Sequence, residues 1–215
     1  MTREESVFMA HKLFAELVFN TAYIERVKVS FPQVQTILDG AIVNNVPVSD
    51  IETVLNLKDA WRFVLKTLDI PLTLGYLCQM NEQVSRNKSP AWGTLRDGVV
   101  NISGTTYMPP IPQQKTVQKE LERIATISGA QERALEAFCY LTRAQLFWDG
   151  NKRLATIVAS KMLIETGVGV LTIGKAKAQE FNETLLHYYD TADSRPLKQC
   201  LAGCIKTMKR KSLLV

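Results

Sequence analysis

The stretch Gln145-Leu146-Phe147-Trp148-Asp149-Gly150-Asn151-Lys152-Arg153-Leu154-Ala155-Thr156 joins the two most strongly helical segments of a 215-residue chain. Before it, Leu135, Phe138, Cys139 and Thr142 recur at helical spacing. After it, Leu154 to Ile164 is apolar on nearly every side and closes at Gly167. A helix apolar all round belongs in the middle of a domain, so the pattern predicts a buried helix opening at Gly150. That glycine permits a sharp turn and close backbone approach. The amides of Gly150, Asn151 and Lys152 would then be unpaired donors at a helix start, where the dipole also favours negative charge. Lys152 and Arg153 add two positive charges to the same turn. Asp149 adds a hard oxygen ligand, which beside a phosphate cradle suits a bridging magnesium ion. Taken alone, the pentapeptide fits equally well as a plain N-cap, with Asp149 or Asn151 capping and the two cations solvated.

Helix signals dominate on both sides. Thr2 with Glu5 has the capping-box pattern and opens a helix carrying Val7, Phe8, Leu13, Leu17 and Val18. Ser30 with Gln33, and Pro32 in the first turn, open a short helix that stops at Gly40. Ser49 with Glu52 predicts the start of a long amphipathic helix carrying Ile51, Val54, Leu55, Leu57, Trp61, Val64 and Leu65. Further helices are expected over 72–84, 115–127, 178–189 and 195–209. Between Asn87 and Pro112 the chain changes character. Pro90, Gly93, Gly98, Gly104, Pro109, Pro110 and Pro112 accompany the β-rich words Val99-Val100-Asn101-Ile102 and Thr105-Thr106-Tyr107. The turn dipeptides Asp97-Gly98 and Ser103-Gly104 predict a small hairpin there. With no repeat or linker, the expectation is one all-α domain over residues 1–215 carrying a β-hairpin.

Composition sets broad bounds. Hydrophobic residues at 46% and charged residues at 22% are ordinary for a globular protein. No apolar run is long enough to cross a membrane, and the acidic N-terminus does not read as a secretory signal. The cytoplasm is therefore the expected location. A net charge of +5 permits contact with an anion. The densest basic run, Lys206, Lys209, Arg210 and Lys211, reads as a solvated helix end, where cations suit the dipole. Neither a reading helix nor interleaved aromatics accompany it, which argues against nucleic acid. Cys200 and Cys204, four apart, would share a helix face, but no histidine or further cysteine stands near to complete a zinc site. His11 and His187 are isolated, and Cys78 and Cys139 read as buried small residues.

The central stretch resembles the signature of the Fic family (the Fido fold), His-x-Phe-x-Asp/Glu-Gly-Asn-Gly/Lys-Arg with a second arginine three residues on. Phe147, Asp149, Gly150, Asn151, Lys152 and Arg153 match, the lysine in the form of the Doc branch. The segment from Val99 to Pro110 is similar to the family's flap, and Thr21-Ala22-Tyr23-Ile24-Glu25 resembles its inhibitory helix motif. The resemblance spans roughly residues 17 to 175. It implies a helical domain with an inhibitory-type motif in residues 1–30, a β-hairpin flap at 92–112 and motif helices at 130–166. It also implies a reaction class, transfer of AMP from a nucleotide to a hydroxyl of a target protein. On that resemblance ATP or another nucleotide binds with magnesium. Asp149 would hold the metal, Gly150, Asn151 and Lys152 the α-phosphate, and Arg153 the next phosphate. Gly104, Thr105, Thr106 and Tyr107 of the flap would dock the target as an added strand. Thr21 and Glu25 would regulate, and self-association is common among members.

The chain departs from that pattern where the chemistry is done. Gln145 stands at the position of the motif histidine, and an amide has no usable basicity near neutral pH. Loss of general-base help costs about 10²- to 10⁴-fold in rate, while positioning and charge stabilisation are separate contributions. Thr156 replaces the second arginine, Arg26 follows Glu25 where a small or amide residue is usual, and Leu146 replaces a proline. Glu25 is then left to pair with Arg153 or Lys152, or to face outward. The favoured reading is a degenerate Fic protein that binds nucleotide phosphate with protein AMPylation absent or slow. The alternative is an active adenylyltransferase.

Overall fold

The computed structural model describes residues 1–208. Lys209, Arg210 and Lys211 of the basic run lie outside the described residues. Helix α1 (Arg3–Lys12) opens on the expected Thr2–Glu5 capping box, with both reciprocal bonds made. It breaks at Leu13, which caps α1 and opens α2 (Phe14–Tyr23) without a side-chain cap. The apolar face read for one continuous helix is divided accordingly: Leu17 and Val18 are fully buried, whereas Phe8 stays 60% exposed. Helix α3 (Phe31–Leu38) has its Ser30–Gln33 box and Pro32 in the first turn, and Gly40 follows at φ +80°.

Helix α4 (Val48–Lys66) corrects one expectation. Pro47, at φ −55°, starts it ahead of Ser49, and the Pro47 carbonyl accepts from Asp50 N and Ile51 N. Ser49 is thereby already inside the first turn and caps nothing. Thr73 caps α5 (Leu74–Ser85). Then come α6 (Gln114–Ala125), α7 (Ala130–Ala144) and α8 (Asn151–Glu165). Every residue of α8 except Lys152 and Glu165 is buried. It packs against α7, α4, α5, α1 and α2, the central position that its all-round apolar character requires. The two-residue strand β1 (Val170–Leu171), α9 (Ala178–Thr191), α10 (Arg195–Ala202) and β2 (Ile205–Lys206) complete the chain, and β2 pairs antiparallel with β1.

The last helix therefore ends at Ala202, short of the expected Lys209. Cys204 lies past its end, and Lys206 sits in a strand rather than at a helix terminus. The only strand ladder among the described residues joins Val170 to Lys206 and Leu171 to Ile205. The flap is an extended excursion that reverses at Ser103-Gly104, with Gly104 at φ +89°. Thr105 Oγ1 is hydrogen-bonded to Asp190, and Tyr107 stacks on Tyr189 at 6.4 Å between ring centroids. No described helix is long and apolar enough to cross a membrane.

Candidate functional site

The turn between α7 and α8 is built by three residues. Gln145 ends α7 in the left-handed region at φ +45°, reversing the chain. Gly150 begins α8 at φ +78°, and a Cβ there would lie 2.2 Å from Ser85 Oγ and 2.8 Å from Val84 Cγ1, so only glycine fits. Asn151 braces the loop between them. Its Nδ2 donates to Phe147 O at 2.7 Å and Gln145 Oε1 at 3.0 Å, and its Oδ1 accepts from Phe147 N at 3.0 Å. From α5, Asn81 Nδ2 and Ser85 Oγ both donate to Asp149 O. Among the described residues no backbone carbonyl accepts from the amides of Asn151, Lys152 or Arg153; the first helical bond is Leu154 N to Gly150 O at 2.8 Å. The start of α8 is thus a rigid turn with free donors, the electrostatic setting for an anion.

A cavity of about 450 Å³ opens over this end, lined by Glu25, Arg26, Gln145, Asp149, Lys152 and Tyr189 among others. The flap contributes its wall through Val100, Asn101, Ile102 and Ser103. Gly104 to Tyr107 instead line a separate hollow beside Asp190. Arg153 is 5% exposed and stands behind the lining. Its Nη1 donates to Val84 O at 3.1 Å and its Nη2 to Asp149 Oδ2 at 2.6 Å, while Nε is buried with no acceptor. Glu25 leans towards these cations without closing on them: Oε2 lies 3.6 Å from Lys152 Nζ and Oε1 lies 4.0 Å from Arg153 Nε. Lys152 donates instead to Ile24 O at 2.8 Å. Thr21 sits inside the fold, bonded to Leu17 O and accepting from the Trp61 indole, away from the cavity.

Gln145 has both amide arms engaged. Its Nε2 donates to Thr142 O at 2.7 Å, and its Oε1 accepts from Asn151. Thr156 is 2% exposed and bonds back to Lys152 O, so nothing at that position faces the cavity. The other ionisable group beside Gln145 is Tyr189, which no motif in the sequence marks. Burial drives its phenol well above the ordinary tyrosine value; Glu25 adds to that and a hydrogen bond with Gln145 opposes it. It can donate a hydrogen bond there but cannot take a proton near neutral pH.

A magnesium ion would find one protein oxygen. Asp149 accepts from Arg153 at Oδ2, which leaves Oδ1 without a protein donor on a side chain that lines the cavity and is 38% exposed. No cluster of three or more His, Cys, Asp or Glu side chains exists among the described residues. That donor set fits magnesium only in its phosphate-borne form, with one carboxylate, water and the phosphate oxygens.

This arrangement, a left-handed turn feeding a glycine-opened buried helix under an extended flap, defines an all-α domain with unpaired donors at the start of its central helix. The family model described as Fic/DOC family matches residues 71–163, from the start of α5 nearly to the end of α8. The fold of the chain is similar to Fic-1 from C. elegans (TM-score 0.76, 20% identity, covering 94% of this chain and 69% of that one). It is also similar to a Fic-domain-containing signalling protein from Bacteroides thetaiotaomicron (TM-score 0.75, 19% identity, 90% and 83%). A third likeness is BepC from Bartonella tribocorum, a structure with bound AMPPNP (TM-score 0.52, 18% identity, 72% and 86%). At 62%, the share covered of a Fic family protein from Desulfovibrio desulfuricans is smaller. No curated protein matched the sequence.

Proposed function

We propose that the protein binds the phosphates of a nucleotide, ATP or a close analogue with magnesium, at the start of α8, and that AMP transfer to a protein is absent or slow. The observation that carries this is a set of donors without acceptors: the open amides at residues 151–153 and the buried Arg153 Nε. Unpaired buried donors are costly, and a phosphate oxygen would satisfy them. Glu25 stands near both cations at distances too long for hydrogen bonds, where an anion would displace it. Magnesium, when bound, would neutralise phosphate charge from Asp149. The cavity-facing edge at Val100 to Ser103 would hold a target segment, with Gly104 to Tyr107 docked on α9 as its anchor.

The slow or absent turnover follows from Gln145. Its amide is committed to Thr142 O and Asn151, and neither it nor Tyr189 accepts a proton at neutral pH. The test is calorimetric titration of ATP with magnesium into the wild type and a Glu25→Gly variant, followed by transfer of label from [α-³²P]ATP in a lysate. Saturable binding that tightens in Glu25→Gly supports the reading and gives the first helices a gating role. Absence of binding in both proteins sinks it. A Gln145→His variant then separates the two forms of the proposal, because histidine tolerates the left-handed region at this position. Labelled protein only with Gln145→His supports a site degenerate at one residue. Equal labelling by wild type favours the active adenylyltransferase.

A further inference from the structure

Arg96 carries an arrangement that an anion cradle does not account for. It is 1% exposed, and among the described residues no carboxylate lies within ion-pair distance of it. Its charge is instead surrounded by carbonyl dipoles from three places in the chain. Nε donates to Gln145 O at 2.6 Å and Nη1 to Gly98 O at 2.5 Å, while Nη2 donates to Pro110 O at 2.6 Å and Pro109 O at 3.2 Å. The Arg96 amide adds a bond to Leu146 O at 3.0 Å.

These acceptors are not scattered. Gly98 leads into the flap, Pro109-Pro110 lead out of it, and Gln145-Leu146 is the reversal from which the Asp149–Arg153 turn follows. The flap has no strand ladder between its two limbs, so nothing in its own backbone fixes their separation. A guanidinium is planar with five donors in a fixed fork. Four carbonyls held by one such fork have their relative positions set by it. A second contact follows the same line: Trp148 packs so closely on Gly98 that a Cβ there would stand 2.5 Å from Trp148 Cη2.

We infer that Arg96 is a positioning residue that fastens both limbs of the flap to the Gln145 turn, so that the cavity-facing edge Val100–Ser103 and the start of α8 keep one geometry relative to each other. The flap is also fastened by Tyr107 and Thr105 on α9 and by Ile102, which packs against the core, while Arg96 is what ties both of its limbs to the Gln145 turn. A consequence is linkage: a ligand that orders the start of α8 orders the flap edge through this side chain. That consequence alone rests on the proposed nucleotide site; the fastening itself does not.

The experiment is amide ¹⁵N relaxation on the full chain, comparing wild type with Arg96→Met and Arg96→Lys. Order parameters at Val100 to Ser103 are expected near the rigid value of about 0.85 in wild type and below about 0.6 in Arg96→Met. Those of α1 and α10 stay unchanged. Lysine presents a compact ammonium that cannot span four carbonyls, so Arg96→Lys is also expected to loosen the edge, by less. Wild-type order parameters in the flap of Arg96→Met overturn the inference, and so does a uniform fall that includes α1 and α10. If Arg96→Met does not fold, Arg96→Lys decides alone: loosening confined to 97–112 supports the fastening and an unchanged flap overturns it. Titration with ATP and magnesium supplies the second arm. Shifts at both the α8 amides and Ile102 are expected in wild type, and at the α8 amides alone in Arg96→Met. Absence of any shift in wild type removes the nucleotide reading while leaving the unliganded arm to judge Arg96.

Discussion

The two ends of α8 hold buried cations in opposite conditions. Near its C-terminus Lys161, 1% exposed, donates to Leu68 O at 3.0 Å and Glu165 Oε2 at 2.6 Å, and its ammonium lies 5.3 Å from the Tyr76 ring centroid. Its ammonium thus has two oxygen acceptors and an aromatic face beside it. Near the N-terminus Arg153, 5% exposed, keeps Nε unpaired, beside helix amides that no carbonyl of the described residues accepts and a glutamate held off at 4.0 Å. A charge that only supports the fold is expected to be saturated, since every unmet donor weakens the native state. The unsaturated end is the one that the proposed phosphate site uses.

The largest effect that would test this contrast is at Gly150. Gly150→Ala forces an L-residue to φ +78° and drives a methyl into Ser85 and Val84. Left-handed strain and overpacking together are expected to destabilise by about 3 kcal/mol, read as a lowered midpoint in urea, with anion binding lost as the turn deforms. Full stability in this variant would mean that the tight glycine seat is not what fixes the start of α8.

Next comes the saturated end. Lys161→Met keeps the volume but removes a charge-assisted bond from Leu68 O and strands Glu165, which is itself 29% exposed and partly solvated. A loss of about 2 kcal/mol is expected, with affinity for ATP and magnesium unchanged. A drop in affinity equal to that seen at the N-terminal end would erase the contrast. Tyr76 should report the same change spectroscopically. Burial first, and Glu165 in addition, hold its phenol up at about 12 against a hydrogen bond with Thr67, so any movement on losing Lys161 shows how tightly this cluster is coupled.

What could be read from the sequence follows the range of the interactions. The Thr2–Glu5 and Ser30–Gln33 boxes are local, and both form. The all-round apolar run at 154–164 leaves little choice but a central helix. The Asp149–Arg153 turn is contiguous, so its residue types stand together in the sequence as they do in space. The Ser49 box fails because Pro47, two residues ahead, opens the helix first. No glycine or proline marks the break at Leu13. The reversal at Ser103-Gly104 was legible, but the absence of a ladder was not, because the limbs are tied by Arg96 to carbonyls as far as 49 residues away. Asn81, Ser85 and Tyr189 reach the site from other helices and carry no mark in one dimension. The four-residue spacing of Cys200 and Cys204 suits a helix, but the chain turns at Gly203-Cys204 so that Ile205 can pair with Leu171.

The smallest effect on stability should accompany a large effect on binding, and Lys152 is where the two separate. Its side chain is 23% exposed and bonds only to Ile24 O, with Glu25 at 3.6 Å. Lys152→Met therefore keeps the aliphatic stem and is expected to change stability by no more than about 0.5 kcal/mol. A phosphate at the start of α8 would lose one charge-assisted contact, about 1.5 kcal/mol or a tenfold weaker Kd for ATP and magnesium. The effect should shrink as ionic strength rises, because part of it is screened Coulomb attraction. Glu25 makes the sign informative: removing Lys152 also removes one of the two cations the glutamate faces. If Glu25 competes for this site through Lys152, Lys152→Met will weaken binding more in the Glu25→Gly background than in wild type, where loss of the Glu25–Lys152 attraction offsets part of the effect. Unchanged affinity in both backgrounds would mean that Lys152, like Lys161, serves only the fold, and the asymmetry of α8 would then rest on its amides and Arg153 alone.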